Sequence, residues 1–283
     1  MSFFVRISSV AAALMLLVSI PSTAQTLTTY RFSPVNQYGI NLTAAYWNPI
    51  ISYVSEKSGV QLTLKIGRTS ADTTSYVLAN EVEFAFTNHL FSPERQQLGW
   101  KVFGRRKTPP IEGQIVVPTD SATSAITQLS GQAVAFPGPE ALVAYKMPYA
   151  HLLSQNIDVQ VVFGGNMDGA LGQLFSGKVK AVGGNSQLID GYIRRENKSV
   201  RVLWRSEPVF DLALMASPKV STKDAQVVAE AFIGMAKDPK GMEIIQRVSK
   251  LVELPVDAYF IASDGSEYGA YINFYKNAPA QLR

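Results

Sequence analysis

The sequence contains no cysteine. That excludes a disulfide framework, a thiol nucleophile, a Cys-ligated metal centre and a lipid-modified cysteine behind a leader segment. Histidine is nearly as scarce, with only His89 and His151. A His-Glu-x-x-His pair, a Gly-x-Ser-x-Gly elbow and a Gly-x-x-x-x-Gly-Lys phosphate loop are all missing, so the usual constellations for hydrolysis and phosphoryl transfer have no carrier. Charge is sparse too, at 17% of residues with a formal net of +4, and no basic run exceeds Arg105-Arg106-Lys107. Nucleic acid is therefore not an expected partner, and that trio reads as a solvated loop. No fixed-period repeat and no low-complexity tract interrupts the chain.

What is present is a large apolar fraction, 47% over 283 residues, enough for one or two globular domains. Arg6, the apolar run Ile7 to Ile20 and the small residues of Pro21-Ser22-Thr23-Ala24 read as an export signal cleaved near Ala24. The run falls short of the ~20 residues of a spanning helix. The expected location is the periplasm, and Arg6 is the only charge lost with residues 1–24.

The chain then alternates strands and helices. Thr28–Phe32, Gln61–Ile66 and Phe84–Phe86 read as strands around helices 41–58 and 70–80, with Ser70 as N-cap of the second. An irregular stretch through Trp100 and Pro109-Pro110 leads to Ile111–Val117, a strand able to cross into a second lobe. There the rhythm restarts with helix Ala122–Leu129, strand Ala133–Phe136, helix Glu140–Leu153, strand Val159–Phe163, helix Met167–Phe175, strand Ala181–Gly183, helix Ser186–Arg195 and strand Val200–Trp204. Pro148 should kink or split its helix. Val209–Ala216 crosses back, and the rest reads as helical. The aromatic set Tyr268, Tyr271, Phe274 and Tyr275 reads as packing. The expected fold class is α/β: two lobes, each a mainly parallel sheet flanked by helices, joined by two crossing strands. Residues 25–110 plus 210–283 form lobe one, and 111–209 lobe two.

The stretch organising this reading is Leu129–Tyr149, where a strand delivers a Pro-Gly-Pro turn onto a helix start near Glu140. Free N–H groups there can receive a polar or anionic ligand, although the same pattern serves as an ordinary connection. Val161–Leu174 repeats it with Gly164, Gly165 and Asn166, so both helix starts are expected to face one crevice. Candidate ligand contacts are Tyr38, Arg68, Thr69, Asn88, His89, Glu140, Ala141, Asn166, Met167 and Asn185. Arg68 either pairs an anion or is solvated, His89 is either contact or structural, and Asn166 and Asn185 either cap helices or touch ligand. Tyr38 and Trp47 read as apolar walls, with core packing the alternative for Trp47. No cofactor and no metal are expected.

Two lobes, two crossings and an export signal together resemble a bacterial periplasmic solute-binding protein. The run Asp120–Phe136, DSATSAITQLSGQAVAF, resembles the phosphate/phosphite/phosphonate-binding family of ABC uptake systems. Trp47-Asn48-Pro49 with Tyr53 and Gly59, Glu83-Phe84-Ala85-Phe86, Phe163-Gly164-Gly165 and Ser176-Gly177-Lys178-Val179 extend the likeness over roughly residues 28–250. The resemblance implies a monomeric, non-enzymatic binder that closes over a small solute and serves a membrane permease. The alternative is a sensing or protein-interaction domain feeding a membrane histidine kinase. It also implies departures. Ala141-Leu142-Val143-Ala144 stands where members carry a Ser-Thr-Ser-Gly run, Asn166-Met167-Asp168 where they carry Ser-His before an acid, and Phe91 where a Tyr usually follows the third strand. Glu140 is expected to repel an anion placed beside it, and with those hydroxyls and that imidazole gone the crevice is expected to be altered toward a less charged, more apolar or even cationic ligand.

Overall fold

The computed structural model describes residues 28–283, so the export-signal reading lies outside the described residues. The first sheet begins with β1 (Thr29–Pro34), followed by α1 (Ile40–Ser58), β2 (Gln61–Leu64), α2 (Asp72–Leu78), β3 (Phe84–Thr87), α3 (Pro93–Gln96) and β4 (Lys101–Arg106). Helix α1 forms because Tyr46, Trp47, Ile50, Ile51, Tyr53 and Val54 recur on one buried face. It ends at Gly59, whose φ of 70° lets its N–H reach Ser55 O at 3.1 Å. Trp47 belongs to the core, with its ring 5.0 Å from Phe32 and 5.1 Å from Phe86.

The chain then crosses to a second sheet through β5 (Gly113–Pro118), β6 (Ala133–Phe136), α4 (Met147–Ser154), β7 (Gln160–Phe163), α5 (Met167–Phe175), β8 (Ala181–Asn185), α6 (Ser186–Arg195) and β9 (Val200–Arg205). It returns through β10 (Ala213–Ala216), α7 (Thr222–Gly234), α8 (Pro239–Leu251), β11 (Phe260–Ala262) and α9 (Gly269–Asn277). The strand orders are β11-β4-β10-β3-β1-β2 and β7-β6-β8-β5-β9. Among the described residues, no helix is long and apolar enough to cross a membrane.

Each sheet has a parallel block, β2-β1-β3 in one and β7-β6-β8 in the other, but neither is mainly parallel as expected, because three of the five pairings in the first and two of the four in the second are antiparallel. The first strand after each crossing breaks it: β10 runs antiparallel to β3 and β4, and β5 runs antiparallel to β8 and β9. Entry direction explains this. A chain arriving from the other lobe enters its sheet at the end facing that lobe, which is where the parallel strands finish. The two crossings meet in an antiparallel bridge between Ile111 and Val209, with N–H to O distances of 2.7 and 2.8 Å.

Several expectations need correction. Arg105-Arg106-Lys107 is not a solvated loop, because β4 occupies the stretch expected to be irregular and Arg106 is only 1% exposed. β11 interrupts the expected all-helical tail. Of helix Ala122–Leu129 only one 3-10 turn, Ile126–Leu129, forms. The helix expected from Glu140 starts at Leu142 with a π-turn to Lys146 and continues as α4, with Pro148 in the first turn of α4. That turn carries the Met147 N–H back to Leu142 O, which accommodates a proline that has no N–H to give.

Candidate functional site

Because the parallel strands of both sheets end toward the crossings, the segments following β1, β3, β6 and β8 converge between the lobes. They enclose a cavity of about 40 Å³. Its polar lining is Asn36, Gln37, Ser70, Asn88, His89 and Asn185, and its apolar lining includes Val35, Leu142, Val143, Met167, Leu188 and Leu212. A water molecule needs about 10–15 Å³, so a handful of heavy atoms fits.

Ser70 stands apart in this lining. It was expected to cap α2, but Asp72 tightens that turn instead, its carboxylate accepting from Arg68 N–H at 2.6 Å, Thr69 N–H at 2.9 Å and the Thr69 hydroxyl at 3.0 Å. Ser70 is left buried, 3% exposed, and its Oγ has no partner among the described residues. Across the crevice lies the Leu142–Ser154 helical run. The Tyr145 and Lys146 N–H groups both return to Ala141 O, at 2.9 and 3.0 Å. The N–H groups of Leu142, Val143 and Ala144 precede that first bond and have no carbonyl one turn back to receive them. Leu142 and Val143 are buried in the same apolar cluster as Tyr268, Tyr271 and Tyr275. Those tyrosines are packing residues, as expected, and Phe91 joins them by stacking on Tyr268 at 4.6 Å.

The remaining lining side chains are mostly committed. Asn36 donates to Gly67 O at 3.1 Å and accepts from the Thr43 hydroxyl at 2.6 Å. Asn185 caps α6 by accepting from Gln187 N–H at 2.9 Å. His89 Nδ1 pairs with the Thr74 hydroxyl at 2.8 Å, and its backbone N–H donates to Thr87 Oγ1 at 3.0 Å. Burial pushes the His89 pKa down to about 3. The folded state thus holds this ring neutral, whereas the unfolded chain protonates it below about pH 6.5. Its contribution to stability is complete above about pH 6.5 and is lost as the pH falls toward about 3, at about 1.4 kcal/mol per unit. Urea unfolding at about pH 7 and 5 should therefore show a shallower loss for His89→Gln than for the parent chain; parallel losses would refute a buried neutral imidazole.

The lobes touch around the cavity through polar contacts. Arg95 grips Glu140 with two bonds, at 2.5 and 3.0 Å. Burial raises the Glu140 pKa, but the Arg95 bonds and charge outweigh it and hold the carboxyl below its ordinary range. Glu140 is therefore neutralised in place, which removes the repulsion expected of it. Ser70 N–H donates to Gly165 O at 2.7 Å, Met167 N–H to Gln37 O at 3.2 Å, and Gly39 N–H to the Asp168 carboxylate at 3.0 Å.

Of the ten residues singled out from sequence, Asn88, His89, Ala141, Met167 and Asn185 line the cavity. The other five lie around it. Arg68 is on the exposed turn, Thr69 is bound to Asp72, and Glu140 is held by Arg95. Asn166 caps α5 by accepting from Gly169 N–H at 2.9 Å, and Tyr38 is buried beneath the Arg195 guanidinium, 5.7 Å from its ring. Sequence reasoning missed Asn36 and Gln37, and it put Ser70 on the crevice-side turn as a cap and not as a ligand contact. Asn36-Gln37 follows the end of β1 after Val35, much as Asn88-His89 follows β3, and that was the available signal.

A family model described as the phosphonate periplasmic substrate-binding protein of ABC transporters matches residues 34–258. The chain belongs to this family. Structural likeness agrees at the level of fold. A binding-protein component of an ABC phosphonate transporter from Pseudomonas aeruginosa superposes with a TM-score of 0.73 at 13% identity, covering 87% of this chain and 83% of that one. PhnD1 from Prochlorococcus marinus, in complex with methylphosphonate, gives 0.74 at 12% identity, covering 88% and 97%. A Xanthomonas citri protein bound to ATP gives 0.66 at 13%, covering 89% and 99%. No curated protein matches the chain. For a phosphonate-binding family member, the α/β fold and paired lobes are those the sequence led us to expect.

Proposed function

We propose that this protein captures one small phosphonate-like oxyanion in the interlobe cavity and presents it to the permease of an ABC uptake system. Residues 25–110 with 210–283 act as one lobe and 111–209 as the other, flexing at the Ile111–Val209 bridge. The site of action is the periplasm, reached by way of the N-terminal segment, and the protein works as a monomer that releases its solute unchanged. One observation carries this reading: an unpartnered, buried Ser70 hydroxyl lies on the same small cavity as the open N–H groups of a helical run from the opposite lobe. Hydroxyl and N–H donors converging from two lobes suit an oxygen-rich solute that is buried on closure. Asn88, His89, Ala141, Met167 and Asn185 would contact it, joined by Gln37 and Ser70. Arg68, Thr69, Glu140, Asn166 and Tyr38 would shape the rim and the lobe contacts.

Thermal unfolding of the chain from Gln25 onward, with phosphite, methylphosphonate or inorganic phosphate, tests this. A binder gains about 2.7 kcal/mol at a hundredfold excess over Kd. Stabilisation by at least one of the three is expected; no response to any of them would overturn the proposal.

A further inference from the structure

The cavity is lined by neutral polar groups, and formal charge stands one layer behind them. Among the described residues, no Arg or Lys lines it. Burial keeps the His89 imidazole uncharged at neutral pH. The donors include Ser70 Oγ, the N–H groups of Leu142–Ala144, Asn185 Nδ2, whose Oδ1 caps α6, and Gln37, whose Oε1 accepts from Arg106 at 3.5 Å and so leaves Nε2 as its free end. An acceptor is present as well. Asn88 turns Nδ2 toward the Tyr271 hydroxyl at 3.5 Å, leaving Oδ1 without a partner among the described residues.

The charges behind this lining nearly cancel. Arg106 pairs with Asp211 behind Gln37, and Arg195 pairs with Asp168 beside Met167. Asp72 is occupied by the Arg68–Thr69 turn, while Tyr38 and Tyr275 are buried phenols whose pKa burial raises. Behind His89 stand Arg95, Glu140 and Lys146. Arg95 and Glu140 neutralise one another, which leaves Lys146, 4.9 Å from the centre of the Tyr275 ring and without an ion-pair partner among the described residues. Burial lowers the Lys146 pKa and the Glu140 carboxylate opposes that shift. The surroundings thus offer about one unit of positive charge, together with the partial charge of a helix start.

Resting on the reading of this cavity as an oxyanion site, we propose that it selects the singly ionised form of a compact phosphorus oxyacid, which carries one negative charge and retains a P–OH, and discriminates against the doubly ionised form. The single charge is met by Lys146 and the N–H groups. The retained proton is given to Asn88 Oδ1. A second charge has no counterion, and an uncompensated buried charge is costly. It would also face Asn88 Oδ1 as a repelling oxygen where the P–OH would donate.

Calorimetric titration with phosphite and with methylphosphonate, over a pH series bracketing the second ionisation of each, tests this. Kd should be flat below the ligand's own second pKa and weaken about tenfold per pH unit above it, with the onset moving from one ligand to the other as their pKa values differ. A Kd that stays level or tightens through the second ionisation would overturn the selection of ionisation state while leaving oxyanion capture intact. An onset at one pH for both ligands would place the titrating group on the protein and also overturn it. Failure of both ligands to bind at any pH would overturn the oxyanion reading along with it.

Discussion

Asp211→Ala is expected to destabilise the protein by about 3–5 kcal/mol, because it leaves the Arg106 guanidinium buried without its counterion. Arg106 is 1% exposed and Asp211 1%, and Arg106 Nε and Nη2 reach one carboxylate oxygen at 2.9 and 2.7 Å. Burial works against the guanidinium's charge, but Asp211 outweighs it and keeps the group protonated. The remaining partners, the Tyr46 hydroxyl at 3.2 Å and Gln37 Oε1 at 3.5 Å, are neutral and cannot replace a carboxylate. The pair also joins the end of β4 to the segment entering β10, so the outgoing and the returning crossing share a common anchor. Replacing both partners, as Arg106→Met with Asp211→Leu, should cost far less than Asp211→Ala alone, because no orphaned charge remains. Guanidinium chloride unfolding of both variants decides it. A single variant within about 1 kcal/mol of the parent chain would show that the pair is not the anchor described here.

Ser70→Leu is expected to abolish solute-dependent stabilisation. The cavity measures about 40 Å³, and an isobutyl group at Ser70 fills it while removing its one unpartnered hydroxyl. The approximately 2.7 kcal/mol gained at a hundredfold ligand excess should fall to nothing, and the unliganded chain should remain folded. Ser70→Ala is the graded control. It removes one hydrogen bond to a charged acceptor, worth about 1.5–3 kcal/mol, and should weaken binding by about ten- to a hundredfold. Gly138 supports the same geometry from the other lobe, since a Cβ there would lie 2.5 Å from Ser70 Oγ. Undiminished stabilisation in Ser70→Leu would move the binding site elsewhere.

How far the sequence discloses this arrangement depends on the range of the interaction. Helices α5 and α6 are legible to the residue, because local signals set them: Asn166 and Asn185 cap them, and an apolar stripe follows each. The convergence of two helix starts on one cavity follows from the alternation of strands and helices and was legible too, although the first lies at Leu142 and not at Glu140 as expected. β4 was not. Arg106 reads as a surface residue until Asp211, 105 positions later, is folded against it. β11 is three residues long, too short for a period to show. In the site, Asn88 and His89 could be named because they follow an apolar strand, whereas Ser70 carried a local cue that pointed the wrong way. A serine before a helical stretch reads as a cap, and only the position of Asp72 shows that the turn is closed by another group. Glu140 misled for the converse reason, since its neutralising Arg95 lies 45 positions earlier.

A crystal structure of the protein with phosphite or methylphosphonate bound addresses the central claim most directly. Solute oxygens are expected within hydrogen-bond reach of Ser70 Oγ and the N–H groups of Leu142–Ala144, between the ends of the two sheets. A solute seated at the exposed Arg68 turn, or on any surface outside the space between the lobes, would contradict it.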